Sequence, residues 1–164
     1  MNALNGADVH GVERIAAGDP RATRHLLGRL WYFDSETRRM AAIGLGAAAA
    51  AFPELGRDIA RRLMWALNDE SATNGVYGLA ALGEIGARCP ELIRPFVAPI
   101  ASCAWDGGLR QEILKALARI ADAAPDLVRP EIARVGAHVT GSDPEEQELM
   151  NELIAKTREG HGTN

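Results

Sequence analysis

Aromatic side chains are scarce in this sequence. Three Trp, two Tyr and three Phe make up 5% of its 164 residues. Apolar residues nevertheless reach 47%, carried by Ala, Leu and Ile, a composition suited to close-packed helices. Cysteine is limited to Cys89 and Cys103, 14 residues apart and outside any CxxC pair. Within one helix they would stand roughly 20 Å apart at about 1.5 Å of rise per residue, too far for a disulfide between them. Two such thiols fit a reducing, cytoplasmic setting. Long hydrophobic runs are missing too. The longest, residues 40–53, is 14 residues of mostly Ala and Gly, too short and too weakly apolar to span a bilayer. The opening MNALNGADVHG shows no charged region leading into an apolar core, so no signal peptide is expected. No stretch of alternating β-branched residues is long enough for a strand.

Catalytic signatures are equally thin. His10, His25, His138 and His161 are scattered without paired metal spacing. Nothing marks a nucleophile with its base, a phosphate loop or a dinucleotide turn. Neither a cofactor nor a metal is expected. The net charge is −4 with a pI near 5.6, so there is no general attraction to nucleic acid or to anionic membrane. The charge is uneven: nine Lys/Arg against seven Asp/Glu up to Arg62, then nine against fifteen from Leu63 onward.

What the sequence does contain is regular punctuation. Helical periodicity and proline starts predict helices near 8–17, 20–32, 35–51, 54–67, 74–88, 91–104, 108–123, 126–139 and 144–158. Pro20, Pro53, Pro90, Pro125 and Pro144 stand at or near helix starts, and Asp34 and Asp106 read as N-caps. Aligning the first four of these prolines, spaced 33, 37 and 35 residues apart, exposes a repeat. Eight residues before each lies Val12, Leu45, Leu82 or Leu117, and ten after lies Leu30, Leu63, Ile100 or Val135. Four after lies Arg24, Arg57, Arg94 or Arg129. A period of this length holding two helices predicts a stack of helix pairs in which neighbours complete one core. The expectation is an all-α chain forming one right-handed α-solenoid of about four antiparallel helix pairs. A capping helix at 8–17 precedes repeats at about 19–51, 53–88, 90–123 and 125–158, and 159–164 forms a tail. The last helix has acids in its first turn and Lys156 and Arg158 in its last, complementing the helix dipole.

Asp34 with Arg38 before AAIGLG, and Asp106 with Arg110 before LKALARIA, place an Asp in the turn and an Arg four residues later. On these residues the chain, from about 19 to 140, resembles the HEAT-repeat (armadillo-type) family. Asp69 holds the same place before YGLAALGEIG, but Thr73 stands where the pattern wants an arginine. WALNDES with its following turn and LGEI helix is similar to a group of small bacterial HEAT-like proteins of unassigned function. The resemblance implies a binding scaffold and supplies no activity of its own. Some HEAT-like proteins are DNA glycosylases and some are bilin lyases. A glycosylase would want a basic, aromatic-lined groove, which so acidic a chain lacks overall.

Candidate binding residues fall into groups, each with a functional and a purely structural interpretation. The turn at 68–75, with Asn68, Asp69, Glu70, Ser71, Thr73 and Asn74, is either a binding loop or a helix cap. Trp31, Trp65 and Trp105 near the ends of successive first helices form either an aromatic ridge for a partner or plugs beneath their turns. The inner-helix residues Arg38, Arg39, Tyr77, Glu84, Gln111, Glu112, Lys115 and Arg119 form either a concave binding surface or a solvated stripe with pairs such as Glu112 with Lys115. Arg24, Arg57, Arg94 and Arg129 read as structural, the last three standing three residues after Glu54, Glu91 and Asp126, or as an array for acidic groups. Residues 40–52 form inner packing or a smooth patch. The expected function is non-catalytic binding of a protein or peptide on the concave face and the 68–75 turn, with no membrane partner. One rival is an enzyme or accessory lyase using Asp69, Glu70 and Glu84. The other is nucleic-acid binding through Arg21, Arg24, Arg29, Arg38 and Arg39.

Overall fold

Asp34 starts the longest helix. Its carboxylate accepts a hydrogen bond from the Thr37 backbone N–H at 2.8 Å, filling one of the donors that a helix leaves open at its N-terminus. From there α3 (Ser35–Ala51) runs 17 residues through an Ala-rich stretch with high helix propensity. The computed structural model describes residues 8–68, 75–139, 141 and 143–159. Within them the protein is all-helical. Ahead of α3 come α1 (Val9–Gly18), capped by Asp8, and α2 (Ala22–Arg29). After it come α4 (Pro53–Leu67), α5 (Gly75–Arg88), α6 (Pro90–Ser102), α7 (Gly107–Ala121), α8 (Pro125–Val128), α9 (Ile132–Val139) and α10 (Pro144–Glu159). Proline opens α4, α6, α8 and α10, where its missing N–H costs nothing. Asp106 caps α7 through the Gly108 N–H at 2.8 Å.

Three expected helices differ in extent. The one expected at 20–32 is only Ala22–Arg29, because Asp19 accepts the Arg21 N–H at 2.9 Å and holds Pro20 in the preceding turn. The one expected at 91–104 closes with a 3₁₀ turn, Cys103–Trp105. The one expected at 126–139 is divided by a 3₁₀ turn, Arg129–Glu131. Pro130 sits inside it, and proline both removes a helical N–H and crowds the carbonyl four residues back. The residues expected to form a tail after Glu159 lie outside the described residues.

The helices form two layers. In the first, α1 packs on α3, α3 on α5, α5 on α7 and α7 on α10. In the second, α2, α4, α6 and the α8–α9 pair lie behind them, with α4 against α6 and α6 against α8 and α9. The recurring apolar positions are the core. Leu45, Leu82 and Leu117 are fully buried, as are Leu30, Ile100 and Val135. Residues 40–49 are all buried, so most of that small-residue face is inner packing. It must be small: a Cβ on Gly46 would stand 2.9 Å from the Glu84 carbonyl oxygen, and one on Gly83 3.1 Å from the Ala116 Cα. Glycine at these two points lets α3 approach α5 and α5 approach α7. Among the described residues, no helix is long and apolar enough to cross a membrane.

Candidate functional site: a groove across the first layer

Helical spacing brings three sets of side chains to one face. Ser35, Arg38, Arg39, Ala42 and Ile43 come from α3; Val76, Tyr77, Ala80, Gly83 and Glu84 from α5; Glu112, Lys115, Ala116 and Arg119 from α7. Steps of three and four keep each set on one stripe of its helix. Together they line a groove of about 560 Å³ with a small, apolar floor and a charged rim. The lining holds four cations (Arg38, Arg39, Lys115, Arg119) and two acids (Glu84, Glu112), which makes it net positive in a protein of net charge −4.

A chain of ion pairs crosses the groove and runs past it. Glu84 lies between two guanidinium groups, 2.8 Å from Arg119 Nε and 3.4 Å from Arg88. Arg88 reaches Glu13 of α1 at 2.8 Å. Arg119 continues to Asp122 at 3.4 Å, and Asp122 to Lys156 of α10 at 2.7 Å. The hydrogen bond to Glu84 holds the Arg119 guanidinium above its ordinary pKa. Burial pulls Lys156 down, but its hydrogen bonds to Asp122 and Glu152 outweigh that and leave it raised. Four helices of the first layer are thereby cross-linked by alternating charges. A network of this kind fixes side chains in place better than isolated pairs do.

At the α3 end, Arg38 is held from two sides. Its Nη1 donates to the Tyr32 and Phe33 carbonyls at 2.6 and 2.8 Å, and its guanidinium lies 4.5 Å from the centre of the Tyr77 ring. Trp31 meets Tyr77 edge-on, centroids 6.4 Å apart. Arg39 is gripped by both oxygens of Glu36, which raises its pKa. Lys115 pairs with Glu112 at 2.8 Å, as the spacing of three predicts.

Of the residues singled out in the sequence, Arg38, Arg39, Tyr77, Glu84, Lys115 and Arg119 therefore converge on one groove. Gln111 is half-buried but does not line it. Trp65 and Asn68 stand apart on α4, and the Asn68 side chain donates to the Met64 carbonyl at 3.0 Å as a helix-end cap. Asp69, Glu70 and Asn74, with Ser71 and Thr73, lie outside the described residues. The tryptophans do not plug their turns. Trp65 is 81% exposed and Trp105 68%, because α4 and the 3₁₀ turn present those positions to solvent while Met64 and Ala104 beside them fill the core. Arg57, Arg94 and Arg129 each pair with the acid three residues earlier, Glu54, Glu91 and Asp126. Arg88 escaped the sequence reading, since its partner Glu13 is 75 residues away. The small floor residues Ala80 and Ala116 escaped it too, because small inner-helix positions also read as plain packing.

No protein-family model matches the chain. No curated protein matches it either. One solved structure does: the crystal structure of an engineered protein from a structural genomics consortium, at 21% identity over 93% of this chain and 72% of that one, with a TM-score of 0.51. At that identity the likeness is one of fold alone.

Proposed function

We propose that the protein is a right-handed α-solenoid of about four HEAT-like helix pairs, and that it binds a protein or peptide segment in the groove across α3, α5 and α7 without catalysing a reaction. The turn at 68–75, whose residues 69–74 lie outside the described residues, is the second contact this reading expects. The observation that carries this reading is the groove itself: an apolar floor for a segment's side chains, framed by charged groups already held in place by their pairs. A preorganised surface loses little side-chain freedom on binding. The same pairing argues against acid–base work by Glu84, whose oxygens face Arg88 and Arg119. Its expected partners in a carboxylate cluster, Asp69 and Glu70, fall outside the described residues. The two half-buried free thiols Cys89 and Cys103, both raised by burial, support the expectation of a cytoplasmic setting.

The test is selection from a displayed library of random peptides. Ala80 is exposed on the groove floor, so Ala80→Arg blocks the groove without entering the core. Peptides enriched on the wild type and lost on Ala80→Arg, with equal helicity, support the reading. Peptides that bind both proteins equally, or no enrichment at all, overturn it.

A further inference from the structure

Ion pairing divides this protein. Each of the eight Lys/Arg from Arg88 to Lys156 lies within 3.4 Å of a carboxylate. Before Leu63, among the described residues, only Arg39, Arg57 and Arg61 do. Among the described residues, Arg14, Arg21, Arg24, Arg29, Arg38 and Arg62 make no ion pair in this half, and three of the six, Arg21, Arg24 and Arg29, belong to α2 or its N-terminal flank. The nearby acids are occupied: Asp19 by the Arg21 N–H, Asp34 by the Thr37 N–H, Glu36 by Arg39. Arg21, Arg24 and His25 are exposed on the face of α2 away from the buried Ala22, Thr23 and Leu26, and the half-buried Arg29 stands at its end beside the turn.

The same short stretch carries the protein's densest exposed aromatic cluster. Trp31 and Tyr32 are each 41% exposed and Phe33 is 89% exposed. Tyr32 and Phe33 are stacked with centroids 5.1 Å apart and an interplanar angle of 18°. Arg29 covers the Tyr32 ring at 4.7 Å from its centre. The two carbonyls that Arg38 holds are those of Tyr32 and Phe33, so the turn is braced in the conformation that displays the stack. Burial does not explain an exposed ring pair held in this way, nor three arginines without ion-pair partners on the adjoining helix.

We propose that α2 and the turn at 31–33 form a binding platform for a single strand of nucleic acid, with an unpaired base stacked on Phe33 and backbone phosphates on Arg21, Arg24 and Arg29. An acidic peptide would use the arginines and leave the stack idle. An aromatic peptide would use the stack and leave the arginines idle unless it also carried acids at matching places. A single strand engages both, because every base has a π-face and every linkage a charge. A duplex keeps its bases stacked inside and cannot occupy Phe33. The platform goes beyond the peptide groove: Phe33, Arg21 and Arg24 do not line it.

The test is fluorescence anisotropy with labelled oligo-U and oligo-dT of about twelve nucleotides, a typical single-strand site size, against the same length of duplex and of oligoglutamate. At about 20 mM salt the full chain binds both single strands, and the affinity falls steeply towards about 200 mM. Phe33→Ala weakens binding about tenfold and, at so exposed a site, leaves helicity unchanged. Arg21→Ala with Arg24→Ala weakens binding and flattens the salt dependence. Arg57→Ala, whose arginine is paired with Glu54, changes nothing. The proposal is overturned if no single strand binds at low salt, if Phe33→Ala binds as the wild type does, or if duplex or oligoglutamate binds as tightly as the single strands.

Discussion

Arg38 and Arg110 hold the same place in two repeats, four residues after an N-capping aspartate, and their surroundings differ. Both turn back to the carbonyls that end the preceding helix layer: Arg38 to Tyr32 and Phe33, Arg110 to Ala104 and Trp105 at 2.8 and 3.2 Å. Each then meets one side chain from the next helix of the first layer. For Arg110 that is Glu146 of α10, at 3.1 Å with only 7% of its side chain exposed. For Arg38 it is the ring of Tyr77. The C-terminal copy is closed by a charge and serves stability. The N-terminal copy is closed by a π-face, makes no ion pair across helices, and leaves its cation beside exposed aromatics. One repeat motif thus yields a sealed joint in one half and an open, positively charged surface in the other.

The largest expected difference comes from removing these two arginines. Arg110→Ala strips the donors from two carbonyls and leaves Glu146 buried without its partner, a loss of about 3 kcal/mol. Arg38→Ala gives up exposed hydrogen bonds and one cation–π contact, about 1 kcal/mol. Urea unfolding of both variants measures the gap, and equal losses would break the comparison. Next come the close approaches that bring the halves together. Gly46→Ala drives a Cβ against the Glu84 backbone and costs about 1–3 kcal/mol. Gly18→Ala meets nothing within 4 Å and stays within about 0.5 kcal/mol. A thermal melt that failed to separate these two would show that α3 and α5 can spread apart.

Smaller again is the ladder of charges. Glu84→Gln leaves Arg88 and Arg119 without their shared carboxylate. With those arginine side chains 27% and 42% exposed, the cost is about 1 kcal/mol after solvent screening, and it shrinks in high salt. Glu54→Gln breaks a pair whose acid is 89% exposed and shifts the urea midpoint by no more than the scatter. The smallest effect is the acid response of the α3 cap. Hydrogen bonds from the Thr37 hydroxyl and backbone N–H hold Asp34 below its ordinary 3.8. A depressed carboxyl contributes stability above its unfolded value and loses it as pH falls through the folded one. Asp34→Asn should therefore flatten the acid limb below about pH 4 and leave stability near neutrality little changed, since Asn also caps helices. A melt series from pH 7 to about 3 checks this, and an unaltered acid limb would contradict it.

How much of this was legible in the sequence depended on range. The caps at Asp34 and Asp106, the proline starts of α4, α6 and α8, and the pairs Glu54–Arg57, Glu91–Arg94 and Glu112–Lys115 all act within four residues. Spacing alone therefore exposed them. Pro130 was equally visible, yet the expected helix at 126–139 runs straight through it, where the structure has a 3₁₀ turn. The groove was half legible. Helical period marked Arg38, Tyr77, Glu84 and Arg119 as one kind of residue, but the contacts joining Glu84 to Arg119 and Arg88 to Glu13 span 35 and 75 positions.

The sequence by itself determined the helices, their order and the recurring apolar positions that form the core, because hydrogen bonding and helical period operate within a turn or two of chain. Only the tertiary structure decided which cations found acids on another helix and which did not. That depends on what the next helix presents opposite each arginine, and at equivalent places one helix presents Glu146 and another Tyr77. It likewise decided that Trp65, Trp105 and Phe33 face solvent: the register of a helix against its neighbours sets which of two adjacent apolar residues, such as Met64 and Trp65, takes the one space available in the core.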